Sequence, residues 1–239
     1  MLKYFLLPVF FISGLLGRAQ DRLFMNDPNA VLRDIGKFNS VHVNGPFKVY
    51  FSEGKQSSLA ISASSTEARD KINTYVSNGE LHIELETSRL RWVTINHNFK
   101  IYISAPTLKS IHASGAVNFV LVDILNGEDI KLKFTGASDM VGKIECDELN
   151  ADFSGASDLE LNGKAKSLVA KFSGASSMKS AAFLSNDANL HASGASTIKV
   201  GVSTSIKAVA SGASTIIYYG SPSTKDNNAS GASSIKKGN

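Results

Sequence analysis

The chain has 239 residues, 43% of them hydrophobic, with 25 Lys and Arg against 21 Asp and Glu and a single cysteine. That apolar content suffices for the core of one elongated domain, and one cysteine rules out an internal disulfide framework. A formal charge of +4, spread along the chain, gives no sign of the concentrated basic patch that a nucleic-acid partner requires.

Residues 1–19 have the layout of a secretory signal peptide: Lys3, an apolar run from Tyr4 to Leu16, then Gly17-Arg18-Ala19 with small residues where a cut is expected. The run is shorter than the roughly 20 residues a spanning helix needs, which favours cleavage over a retained anchor and predicts no membrane span once the signal is removed. The mature chain then starts at Gln20, keeps 23 basic against 21 acidic residues, and is exported to the periplasm, the outer-membrane surface or the medium.

Residues 20–37 form a lead-in. Asp27-Pro28-Asn29 is a turn, while Val31, Leu32 and Ile35 fit either a short helix or an edge strand. Short strands with turn chemistry come next, at Val41–Val43, closed by Asn44-Gly45-Pro46, then at Phe47–Phe51 and Leu59–Ser62. A brief helical passage over Thr66–Ile72 precedes the turn Ser77-Asn78-Gly79, and further strands lie at Leu81–Leu85, Val93–Ile95 and Phe99–Ile103. No linker separates this half from the C-terminal half, so 38–239 reads as one solenoid, with irregular coils over 38–110 and regular repeats over 111–239.

The repeats centre on Gly115, Gly136, Gly155, Gly174, Gly194, Gly212 and Gly231, at spacings of 21, 19, 19, 20, 18 and 19 residues. A period near 19 is the mark of a repeat architecture. Two and four residues before each glycine the positions are mostly Phe, Leu, Ile or Ala, and four after it stand Phe119, Met140, Leu159, Met178, Ile198, Ile216 and Ile235. This is strand alternation on both sides of a Ser/Thr-Gly-Ala corner. Each period therefore makes one coil of an all-β solenoid, and coils stacked about 4.8 Å apart line up a continuous core. Some ten rungs over about 50 Å are expected.

In this reading Ser-Gly-Ala-Ser is a corner device, with the glycine supplying the turn and the small alanine facing inward. A nucleophilic serine would need one copy unlike the others with a base beside it, and the copies are near-equivalent. Cys146 alternates with Ile144 and is expected in the core. The last coil, with Asn227, Asn228, Lys225, Asp226, Lys236 and Lys237, reads as a polar cap.

The order Phe38, Val41, Val43, Gly45, Phe47, Val49, Gly54, then Asn78-Gly79 with Leu81 and Ile83, then Pro106-x-Leu108-x-x-Ile111 leading into glycine-centred repeats, resembles the head GIN domain family of putative autotransporter adhesins. The likeness covers Phe38 to Asn239. It implies an exported protein of Bacteroidetes-like bacteria, a right-handed parallel β-helix similar to that of pectin lyases, an adhesive role, and assembly into homotrimers. The family's corners are often Gly-x-Gly where this chain has Ser-Gly-Ala-Ser, and the family offers no functional residues to carry over.

Residues three before each glycine should face outward as a row: His112, Lys133, Asp152, Lys171, His191, Val209 and Asn228. Lys133, Asp152 and Lys171 alternate in sign, as charge pairing between rungs demands. His112 and His191 stand four rungs apart, about 19 Å, too far to share a metal, so these and His42, His82 and His97 are expected to be separately solvated. No metal site and no cofactor are expected.

The acidic group Asp139, Asp158 and Glu160 is the candidate for chemistry, because pectin-degrading β-helices use clustered carboxylates for calcium or acid–base work. Lys179 at the ladder position of Glu160 suits a charge pair instead, and no arginine follows Arg91 to act as a base. Trp92, flanked by Arg91 and near Arg89, is exposed if Val93 and Ile95 are buried, and is the candidate for stacking on a sugar or in a protein interface. The expected function is non-enzymatic adhesion to a glycan or a host or cell-surface protein. The alternatives are a polysaccharide-degrading enzyme built on the acidic group, or a structural envelope protein.

Overall fold

The computed structural model describes residues 27–86 and 98–239. The predicted leader, Trp92 with Arg89 and Arg91, the expected strand at 93–95 and His97 lie outside them. The first half contains β1 (Val31–Arg33), β2 (Ser40–Gly45), β3 (Lys48–Glu53), β4 (Ser58–Ser62), the short helix α1 (Thr66–Arg69), β5 (Ile72–Ser77), β6 (Glu80–Leu85), β7 (Lys100–Ala105) and β8 (Ser110–Gly115). The lead-in is thus an edge strand: β1 runs antiparallel to β4, with Val31 opposite Ile61. Asn78 and Gly79 take φ of 51° and 76°, the left-handed pair of a two-residue hairpin turn, and so return β5 antiparallel onto β6.

The second half is the expected solenoid. β9 (Asn118–Phe134), β10 (Asp139–Phe153), β11 (Asp158–Phe172), β12 (Ser177–Ala192) and β13 (Thr197–Ala210) each wrap around one coil and pair in parallel with the next. β14 (Thr215–Tyr219), β15 (Thr224–Ala229) and β16 (Ser234–Lys237) finish the stack. The coils number about seven rather than ten, because part of the first half goes into the antiparallel strands β1, β4 and β5 and the helix instead of full rungs. One apolar core runs from Phe38 to Tyr218. Within it Phe134, Phe153 and Phe172 stack face to face, with ring centroids 4.7 and 5.0 Å apart and planes within 7°. Cys146 is buried there as expected, and burial pushes its thiol up to about 12.

The corners explain the glycine. Gly155 has φ of 87°, and a Cβ there would lie 2.3 Å from the carbonyl oxygen of Gly136 in the preceding rung. That oxygen accepts the N–H of Ala156 at 2.8 Å, and the same bond recurs from Ala137 to Gly115, from Ala175 to Gly155 and from Ala195 to Gly174. The rung spacing leaves no room for a side chain.

One expectation fails at the corner. Ala137, Ala156 and Ala175 are exposed, and the serine after each alanine points inward instead: Ser138, Ser157, Ser176, Ser196 and Ser214 are all at most 1% exposed. Small size alone suggested alanine, but hydrogen bonding decides for serine. Ser157 Oγ donates to Ser154 O at 3.1 Å and accepts from Ser138 N at 3.3 Å, while Ser138 Oγ likewise donates to Thr135 O and accepts from Val117 N. The hydroxyl satisfies backbone groups that the tight corner would otherwise leave unpaired.

Rungs do not stack in chain order in the first half. β2 pairs with β6 on one side and β8 on the other, and β3 lies between β7 and β9. The coil that comes first in the sequence is therefore inserted between two later ones. Gly45 joins the glycine ladder directly beneath Gly115, whose neighbour Ala116 donates to Gly45 O at 3.2 Å.

The start of the described chain is tied to this stack by Asp27. Its carboxylate accepts from Tyr102 Oη at 2.7 Å and Lys100 Nζ at 3.1 Å, and its side chain is only 9% exposed. Burial raises the Asp27 carboxyl, but the bonds from Tyr102, Lys100 and the Asn29 backbone outweigh it and hold the group at about 2. Burial and the same bond push the Tyr102 hydroxyl above its ordinary value.

Gly155→Ala is expected to cost about 3 kcal/mol or more in chemical denaturation, from the left-handed backbone and the overlap with Gly136. Ser157→Ala should cost about 1–3 kcal/mol by stranding buried backbone groups, whereas Ala156→Ser, being exposed, should stay within about 0.5 kcal/mol. The Asp27 carboxyl is lower folded than unfolded, so its contribution of about 2 kcal/mol is complete above the ordinary carboxyl value and disappears as pH falls through about 2. Asp27→Asn should remove that part of the acid-denaturation profile, measured as stability against pH.

Candidate functional site

The glycine ladder dictates the outer surface, because residues three before each glycine stand directly above one another. The inserted β2 coil extends that row toward the N-terminal end. Tyr75 lies opposite His82, His82 beside His42, His42 beside His112, and His112 beside Lys133. The row continues through Asp152, Lys171 and His191, so the predicted four-rung separation of His112 from His191 holds, as does the adjacency of Lys133, Asp152 and Lys171.

The histidines of the first half are not separately solvated. The His42 ring centroid is 5.4 Å from that of His82 and 6.0 Å from that of His112, and all three residues are half-buried. Tyr75 stacks on His82 with centroids 4.6 Å apart and planes within 6°. Glu80, two residues before His82 and on the same face, places Oε2 3.3 Å from His82 Nε2 and Oε1 3.8 Å from His112 Nδ1. Burial pulls the His112 imidazole below its ordinary value, against the attraction of Glu80 and with the help of His42 and Lys133.

An open recess of about 570 Å³ adjoins the cluster, lined by Ser40, Tyr75, Ser77, Asn78, Glu80, His82 and Ser110. The sequence carries a partial signal for this grouping. Val41-His42-Val43, Leu81-His82-Ile83 and Ile111-His112-Ala113 are the same apolar-His-apolar triplet, which fixes the outward phase of each histidine but not their adjacency.

The acidic candidates lie on a different part of the surface. Asp139 and Asp158 occupy one ladder position on neighbouring rungs, and Asp139 Oδ1 accepts the backbone N–H of Asp158 at 3.0 Å. Asp158 binds Ser177 Oγ through Oδ1 and Lys179 Nζ at 2.6 Å through Oδ2. Lys179 thus pairs diagonally with Asp158, where direct register had suggested Glu160. Burial raises the Asp158 carboxyl, but Lys179 and Ser177 outweigh it and keep the group below its ordinary range. The arrangement holds Asp158 ionised, the opposite of the raised carboxyl that a general acid needs. Because the pair is largely exposed, at 57% and 43%, Asp158→Asn is expected to cost less than about 1 kcal/mol in thermal denaturation.

The geometry can be set beside known proteins. Residues 37–222 match the family model described as putative auto-transporter adhesin, head GIN domain. A putative adhesin from Bacteroides fragilis superposes with a TM-score of 0.81 at 20% identity, covering 87% of this chain and 95% of that one. A putative adhesin from Parabacteroides merdae gives 0.68 at 15% identity, covering 88% and 95%, and a putative lipid binding protein from Parabacteroides distasonis gives 0.69 at 17%, covering 89% and 98%. At these identities the likeness establishes the fold. No curated relative matches the sequence. Among the described residues no helix is long and apolar enough to cross a membrane. The family model spans nearly the whole described solenoid, and this chain belongs to the head GIN domain family of putative auto-transporter adhesins.

Proposed function

We propose that this chain is an exported, non-enzymatic adhesion protein that holds a glycan or a surface protein against the outer faces of its solenoid. The observation that carries the reading is family membership across residues 37–222. Two physical features support it. The outer face is built from side chains in straight rows, a geometry suited to contacting an extended partner at repeated points. The pronounced depression beside the histidine row is open rather than a closed cleft.

In this reading Asp139, Asp158 and Glu160 serve surface ion pairing, and Trp92 is retained as a contact for the ligand. Export follows from the leader at 1–19. Assembly into the homotrimer that the family implies would multiply weak contacts into avidity.

The test is to incubate the chain lacking residues 1–19 with a panel of host and plant polysaccharides, scoring retention of intact glycan and new chain ends in the same wells, with a panel of surface proteins alongside. Retention without cleavage, unchanged by Asp158→Ala and weakened roughly tenfold by Trp92→Ala as an aromatic anchor, is the expected outcome. New chain ends that vanish in Asp158→Ala would overturn it in favour of an enzyme.

A further inference from the structure

We infer that His42, Glu80 and His82 form a binding site for one divalent transition-metal ion, with zinc as the best-matched metal and an open coordination position facing the recess. One nitrogen from each histidine and one carboxylate oxygen of Glu80 lie within 4.8 Å of one another. The inference does not depend on what the solenoid adheres to.

The donor set comes first. Two imidazoles and a carboxylate suit zinc and its neighbours in the first transition row, whereas calcium and magnesium prefer all-oxygen shells. Tetrahedral zinc with bonds near 2.0–2.1 Å sets its ligand atoms roughly 3.4 Å apart. Glu80 Oε2 and His82 Nε2 are already 3.3 Å apart. His42 must close by no more than about 1.5 Å, a movement within the reach of its side-chain torsions.

Rigidity comes second. His42 and His82 are direct partners in a parallel ladder, and Glu80 is on the same strand and face as His82. That strand pair is interior to the sheet, flanked by β5 and β8, so the three ligand positions are fixed by hydrogen-bonded backbone on both sides. A site on rigid strands loses little entropy when it binds.

Orientation comes third. Histidine ligands are usually held in place by further contacts, and here Tyr75 lies flat against the His82 ring. His112 Nδ1 stands 3.8 Å from the other oxygen of Glu80, outside the triad of closest atoms. The recess lined by Ser40, Tyr75, Ser77, Asn78 and Ser110 leaves space for water or a donor from a bound molecule, the pattern of three protein ligands plus one exchangeable position.

The test uses protein free of any affinity tag, dialysed against chelator and then against Zn(II), with bound metal counted by elemental analysis and Co(II) absorption reporting coordination geometry. One equivalent of zinc is expected, with a tetrahedral cobalt spectrum. His42→Gln, His82→Gln and the near-isosteric Glu80→Gln should each weaken binding by at least roughly tenfold, while His191→Gln, on the same outer row but remote, should leave it unchanged. Thermal midpoints with and without metal separate ligation from folding: a true ligand variant keeps its metal-free midpoint and loses the zinc-induced rise. If a histidine variant unfolds, Glu80→Gln decides alone. Failure of the wild-type protein to retain zinc, or zinc retained with unchanged affinity in Glu80→Gln, would overturn the assignment.

Discussion

The structure depends on the close approach of backbone to backbone at the glycine corners. Each glycine carbonyl accepts the N–H of the alanine one rung later at 2.7–2.8 Å through most of the stack. The approach is so tight that a Cβ at Gly136, Gly155 or Gly174 would fall 2.3–2.6 Å from the oxygen below. A buried serine lies under the corners at Gly136, Gly155, Gly174, Gly194 and Gly212 and satisfies polar groups that the turn brings inside. Because corners can stack only one on another, the strand residues that flank them inherit their register, and irregularities such as those between Val141 and Lys143 and between Leu159 and Gly163 absorb the differences in coil length.

Inherited register turns a one-dimensional repeat into rows of side chains. Inside, the rows are apolar, and the rings of Phe134, Phe153 and Phe172 stack face to face along one of them. Outside, one row passes from histidines at the N-terminal end to alternating lysine and aspartate in the middle. Charges of opposite sign on adjacent rungs attract, whereas adjacent imidazoles are compatible only while mostly neutral or when a carboxylate such as Glu80 stands among them. The chemistry of the outer face thus differs along its length although the backbone repeats.

A parallel stack has two open ends, and each is closed differently. At the N-terminal end the outermost strands among the described residues are the three-residue β1 and the hairpin strand β5, which run antiparallel to their neighbours. At the C-terminal end every residue of β15 is exposed, and Asn227 and Asn228 stand where earlier rungs carry Ala208 and Val209. Short edges and polar edges both discourage pairing with a further chain.

By itself the sequence determined the repeat period, the positions of the corners and the side of the sheet on which most residues lie. Alternation in a strand is a local property, and glycine at a left-handed corner is a local necessity. It misplaced the corner alanine because size alone does not tell which of two small residues can pair buried backbone groups, and the serine hydroxyl can. What only the tertiary structure decided is the order of the rungs. His42, His82 and His112 are separated by 40 and 30 residues, and their matching triplets specify that each points outward, not which strand lies beside which. Inserting the β2 coil between β6 and β8 preserves every inward and outward position, and the cost of closing the longer connections grows only slowly with their length. The choice therefore rests on packing and hydrogen bonding between complete rungs, and that choice assembles the histidine site.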